Sequence, residues 1–130
     1  MSIGTWNPDE SNELDAQVLG DLLAAAAQLD APEFGLDADQ VGRLAAFARV
    51  SDAWTGAIDG LEDAQLVALI RLYTLAEARF PSWEGGAKSP VIAMARALKA
   101  RSAYPDDLTA WIKANSDNRF LPHGSLMDRL

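Results

Sequence analysis

The chain has 130 residues, no cysteine and a formal net charge of −8. That length suits one domain, and folding at this size buries roughly two thirds of the surface an unfolded chain exposes, enough for a core without staples. The missing cysteine excludes disulfides and thiolate metal sites and fits a reducing, cytoplasmic setting; the acidity speaks against a generic coat for nucleic acid or an anionic membrane surface.

The charge is unevenly spread. Residues 1–63 carry 13 acids and two bases, Arg43 and Arg49, a net of −11. Residues 64–130 carry six acids and nine bases, a net of +3. Such an asymmetry points to a use. Either the two halves pack on each other or self-associate, or the basic half meets an anionic partner. The opening residues, Met1 to Asp9, have neither the basic nor the apolar region of a signal peptide. The longest apolar run, Leu22 to Ala27, is far short of the ~20 residues that cross a bilayer.

Strand patterns are almost absent and helical periodicity runs throughout. Helix one is expected to begin near Asn7-Pro8-Asp9-Glu10, with Asn7 as cap and Pro8 in the first turn; a start at Ser11 or Asn12 is the alternative. Leu14, Val18, Leu22, Ala25 and Leu29 form its stripe, and the alanine run 24–27 admits a close neighbour. Pro32 and Gly35 end it, in the Asp30–Gly35 loop that is the best domain-boundary candidate, although neither side could fold alone. Helix two starts on the capping pair Asp37 and Gln40 and buries Val41, Leu44, Ala45 and Ala48. A short helix follows, capped by Ser51, anchored by Trp54 and Ile58 and closed by Gly60.

Helix three spans about Glu62 to Arg79. Leu66, Leu69, Ile70, Tyr73 and Phe80 share one face, and Val67, Leu72 and Leu75 fill others. A helix apolar on most sides belongs at the centre of a bundle. Helix four starts with Ser89 as cap and Pro90 at its first position, with Val91, Ala95 and Leu98 inward and Arg96 and Lys99 elsewhere. Helix five is expected from Pro105, with Asp106 and Asp107 at its positive end and Leu108, Trp111 and Ile112 inward. A tail, 117–130, completes the chain. The expected fold is all-α: a compact bundle of five main helices plus one short helix, built around helix three, with the extended tail packed across it.

Four features bear on function. The first is the loop before helix four, where Gly85 and Gly86 free the backbone, Lys88 adds charge and Ser89 caps. A helix N-terminus with free N–H groups completes a recipe for binding phosphate or carboxylate. The candidate ligand site is Trp83, Gly85, Gly86, Lys88, Ser89 and Arg96. It is not a P-loop, because Ala87 precedes the lysine and a helix precedes the loop. An ordinary interhelical loop, with Trp83 plugging the core, is the simpler alternative.

The second is the tail, which is too apolar for a disordered one: Phe120, Leu121, Leu126, Met127 and Leu130. It either docks on its own fold or engages a partner through Arg119, Phe120, His123 and Met127. His123 is the sole histidine, set between Pro122 and Gly124, and has no second ligand at metal-binding spacing. The third is a set of paired acids, Asp37 with Asp39, Glu62 with Asp63 and Asp106 with Asp107. All stand at helix starts, where capping and the helix dipole explain them without catalysis.

The fourth is the stretch Leu44-Ala45-Ala46-Phe47-Ala48-Arg49-Val50-Ser51 with Thr55 and Ile58, which resembles the helix-turn-helix DNA-binding spacing. Arg49 stands where that family has glycine, and Thr55 where it has an aliphatic residue. The would-be recognition helix, 51–59, holds Asp52 and Asp59 and no Lys or Arg, whereas reading bases beside phosphates relies on basic and amide side chains. DNA binding is therefore the remotest function. The leading expectation is a non-enzymatic interaction module acting through its basic C-terminal half and tail, with a protein partner or a second copy of itself. A binder of a small phosphate- or carboxylate-bearing ligand, or an enzyme acting on one, comes second. No cofactor, metal or membrane is implied.

Overall fold

The structure, a computed structural model, describes residues 16–49, 52–116, 118 and 121. Among these it is all helix and turn. The helices are α1 (Ala16–Ala26), α2 (Ala38–Leu44), α3 (Asp52–Gly60), α4 (Asp63–Arg79), α5 (Pro90–Ala100) and α6 (Leu108–Asn115). Short 3₁₀ turns link them at Pro32–Gly35, Ala45–Phe47, Pro81–Trp83 and Gly86–Lys88. The expected start of the first helix at Asn7 lies outside the described residues.

The local signals set most boundaries. Asp37 accepts from the Gln40 backbone N–H at 2.8 Å while the Gln40 side chain accepts from the Asp37 N–H at 3.1 Å, and α2 begins there. Ser89 caps α5 by accepting from the Val91 N–H at 3.2 Å, with Pro90 leading the helix. α6 departs from expectation. It starts at Leu108, because Pro105 to Leu108 forms a separate turn closed by a 3.2 Å hydrogen bond. Asp106 and Asp107 thus precede the helix. α2 is also shorter than its apolar pattern, which continues through Ala48 in a 3₁₀ turn.

α4 is the centre. It packs against α1, α5 and α6, and α3 packs against α5. Leu66, Leu69, Ile70, Leu72, Tyr73 and Ala76 are all fully buried, so more than one side of the helix is covered. An aromatic chain crosses it. Trp54, Tyr73, Trp83, Phe80 and Phe34 follow one another with ring centroids 5.6, 5.4, 5.4 and 5.8 Å apart. Each such pair adds about 0.5–1.5 kcal/mol beyond area burial. The polar tips are used as well: Trp54 Nε1 (2.9 Å) and the Tyr73 hydroxyl (3.2 Å) both donate to the Phe47 carbonyl. Trp83 Nε1 donates to the Val41 carbonyl at 2.9 Å.

The two charge halves interleave. Arg79 pairs with Glu33, and Arg101 pairs with Asp63 at 3.0 Å. Arg101 also donates to the Ile58 (2.9 Å) and Leu61 (2.7 Å) carbonyls, closing the end of α3. Two of the later bases therefore serve the fold rather than a separate basic face.

α5 ends in a Schellman turn. The Ala103 N–H donates to the Leu98 carbonyl at 2.8 Å and the Ser102 N–H to the Lys99 carbonyl at 3.0 Å, with Ser102 left-handed at φ +57°. A Cβ at that φ is unfavourable, and glycine removes the conflict. Ser102→Gly is expected to stabilise the protein by about 0.5–1 kcal/mol, read as a higher urea midpoint at unchanged slope. A lower midpoint would refute the turn geometry.

Candidate functional site

Residues 81–89 connect α4 to α5 and contain both glycines singled out above. Each is required by geometry. Gly85 runs so close to its surroundings that a Cβ there would stand 2.8 Å from both the Ala48 carbonyl oxygen and the Ser89 Cα. Gly86 takes φ +56°, in the left-handed region. Together they fold the loop back over the C-terminal part of α4, where Glu77 projects from the central helix.

Glu77 retains only 9% of its surface exposure. Its carboxylate has three donors. The Gly85 N–H reaches Oε1 at 3.1 Å, and Asn118 Nδ2 reaches the same oxygen at 3.2 Å. The Ser89 hydroxyl donates to Oε2 at 2.6 Å while accepting from the first turn of α5. Asn118 Nδ2 also lies 3.0 Å from the Gly86 carbonyl, tying the chain beyond α6 to the loop. The positive end of the α5 dipole adds to the attraction. The donors of the glycine-rich loop thus meet a carboxylate of the chain itself.

Burial pushes the Glu77 carboxyl above the usual range; the hydrogen bonds from Ser89, Gly85 and Asn118 oppose the rise, and the charge of Glu84 adds to it. Among the described residues, no cation joins these three donors. Lys88 and Arg96 are both exposed. Trp83 is wholly buried and donates into α2, so it belongs to the aromatic chain. Of the six candidate residues singled out from sequence, Gly85, Gly86 and Ser89 converge on the carboxylate or on its Asn118 partner. Arg119, Phe120, His123 and Met127 lie outside the described residues. Leu121, also in the tail, is fully buried in the core cluster.

Glu77 itself escaped the sequence reading. The signal was present: positions 66, 70, 73, 77 and 80 follow helical spacing along the buried face of α4, and 77 is the one acid in that stripe. A charge on a buried face demands partners. Among the described residues, no group of three or more His, Asp or Glu gathers as a metal site, and no helix is long and apolar enough to cross a membrane.

Removing the acceptor leaves the Gly85 N–H and Asn118 without it, so Glu77→Ala is expected to cost about 2–3 kcal/mol in urea unfolding. Glu77→Gln keeps one oxygen acceptor and should cost less. The pH dependence has a definite sign. With its folded pKa above 4.5, Glu77 contributes stability that is complete below 4.5 and is lost as pH rises through the folded value. Wild type should lose stability relative to Glu77→Gln across that window, and parallel stability–pH curves would contradict the buried charge. No protein-family model, curated protein or solved structure matches this chain, and what the site can do follows from its geometry alone.

Proposed function

We propose that the protein is a non-enzymatic interaction module that recognises an acidic protein surface through its basic C-terminal half and tail. The observation that carries this reading is the engagement of the loop's donors by Glu77. With those donors occupied, the charges of Lys88 and Arg96 face outward and suit a surface rather than an enclosed small ligand. The acidic first half, net −11 over residues 1–63, supplies the matching charge, so a second copy of the chain is the first partner to test.

Sedimentation of the full chain at low and high salt tests this. An assembly held by opposite charges dissociates as salt shortens the screening length, about 8 Å at physiological ionic strength. Lys88→Glu combined with Arg96→Glu should weaken association, as should removal of residues 122–130, a deletion that leaves Asn118 and Leu121 in place. A strict monomer at every salt and concentration, or a salt-independent oligomer, refutes the charge-driven form of the proposal.

A second reading has one observation in its favour: Lys88 stands exposed on the loop. A small phosphate- or carboxylate-bearing ligand recruited by Lys88 should then raise the melting temperature, and Lys88→Ala should abolish the shift. A broad anion panel without any shift ends that alternative. Helix-turn-helix DNA binding has the least support, since the exposed positions of α3 include Asp59 and offer no base.

A further inference from the structure

We propose that Arg71 and Trp111 form the anchor at which this protein receives a carboxylate from an acidic segment of a protein partner. The proposal rests on the reading of the basic half as a binder of acidic surfaces, and it names where that contact centres.

Arg71 stands on α4 and Trp111 on α6, two helices in contact. The guanidinium carbon lies 5.6 Å from the centre of the indole ring. A guanidinium stacked in this way keeps its edge for donating hydrogen bonds. Arg43, Arg79 and Arg101 pair with Asp39, Glu33 and Asp63, whereas Arg71 enters none of the ion pairs among the described residues. One turn either way along α4 stand Val67, Ala68, Thr74 and Leu75, which bring no acid. Asp107, one turn before Trp111, is exposed and does not pair with Arg71 either.

Two donors are left over at this contact. Arg71 Nε is buried and has no acceptor among the described residues. Trp111 Nε1 makes no hydrogen bond there either, whereas the indoles of Trp54 and Trp83 each donate to a carbonyl at 2.9 Å. A buried N–H without an acceptor is costly, and most such groups in folded proteins have a partner. Arg71 and Trp111 are both half-buried, so part of the pair is open to an incoming group. Turning the guanidinium on its ring brings Nε and one Nη to the two oxygens of a carboxylate. The pair then forms in a partly dehydrated setting, where it is stronger than at an open surface. A single guanidinium balances a single negative charge, which suits a carboxylate rather than a doubly charged phosphate. Arginine and tryptophan are also the residues on which protein interfaces most often centre.

The test uses the full chain, hexaglutamate as the probe and proton–nitrogen NMR as the readout. The Arg71 Nε–H resonance is identified by its loss in Arg71→Lys, whose remaining spectrum reports that the variant is folded. Hexaglutamate should move that resonance and the Trp111 indole resonance together, to saturation. Arg71→Lys should weaken binding about 10-fold, because lysine keeps the charge and loses the planar pair of donors. If the peptide binds while both resonances and the Arg71→Lys affinity stay unchanged, the proposal is overturned, and recognition of acidic surfaces survives with its centre elsewhere. Absence of binding also overturns it, and the salt-dependent sedimentation then judges the wider reading separately. Inorganic phosphate moving the two resonances at lower concentration than the peptide overturns the choice of a carboxylate. Should Arg71→Lys not fold, the response of the Trp111 indole resonance in the unaltered protein, identified through Trp111→Phe, decides.

Discussion

A carboxylate withdrawn from water on the central helix has to be given donors, and the provision of those donors shapes this protein from α4 onward. Leaving Glu77 charged and unpaired would cost several kcal/mol, far more than any one helix cap contributes. Three elements answer that demand. The loop turns back sharply enough to bring the Gly85 N–H to Oε1. Ser89 starts α5 and faces Oε2 with the same hydroxyl that caps the helix. Asn118 returns from beyond α6 to complete the set. The two glycines follow from the same constraint: one lets the backbone pass the Ala48 carbonyl, and the other permits a left-handed turn.

The aromatic residues solve a second problem of polar satisfaction. α2 is short and continues as a 3₁₀ turn; the Val41 carbonyl accepts from the Ala45 N–H and has room for a second donor, while the Phe47 carbonyl ends the 3₁₀ turn. The Val41 carbonyl receives the Trp83 indole, and the Phe47 carbonyl receives both the Trp54 indole and the Tyr73 hydroxyl. These three side chains are wholly buried and bring both apolar area and a donor. One set of contacts therefore joins α2, α3, α4 and the glycine loop. The Pro32–Gly35 turn is held in a similar long-range way. Glu33, Phe34 and Gly35 are all left-handed, with φ of 51°, 56° and 74°. Phe34 packs edge-on against Phe80, and Glu33 pairs with Arg79. Partners from α4 and its C-terminal end hold a backbone conformation that non-glycine residues avoid alone.

Charge carries two roles here. The split between an acidic first half and a basic second half is strong in the sequence, yet folding consumes part of it. Arg79 and Arg101 pair with acids of the first half, and Arg101 also closes α3. The proposed interaction role draws on what stays exposed, with Lys88 and Arg96 as its clearest members.

The sequence by itself determined the all-helical class, the central place of α4 and the starts of α2 and α5. Those features depend on near neighbours in the chain: the Asp37–Gln40 pair, the Ser89-Pro90 start and an apolar pattern at helical spacing. It also singled out the glycine-rich loop, because glycines and a helix N-terminus are local features. Only the tertiary structure decided that Glu77 meets the loop's donors, that Trp83 faces inward, and that Asn118 donates to the same carboxylate. These depend on groups 41 and 42 residues apart meeting. No local pattern encodes such separations. They arise when apolar burial places α4 at the centre and its single buried acid must find donors wherever the fold brings them.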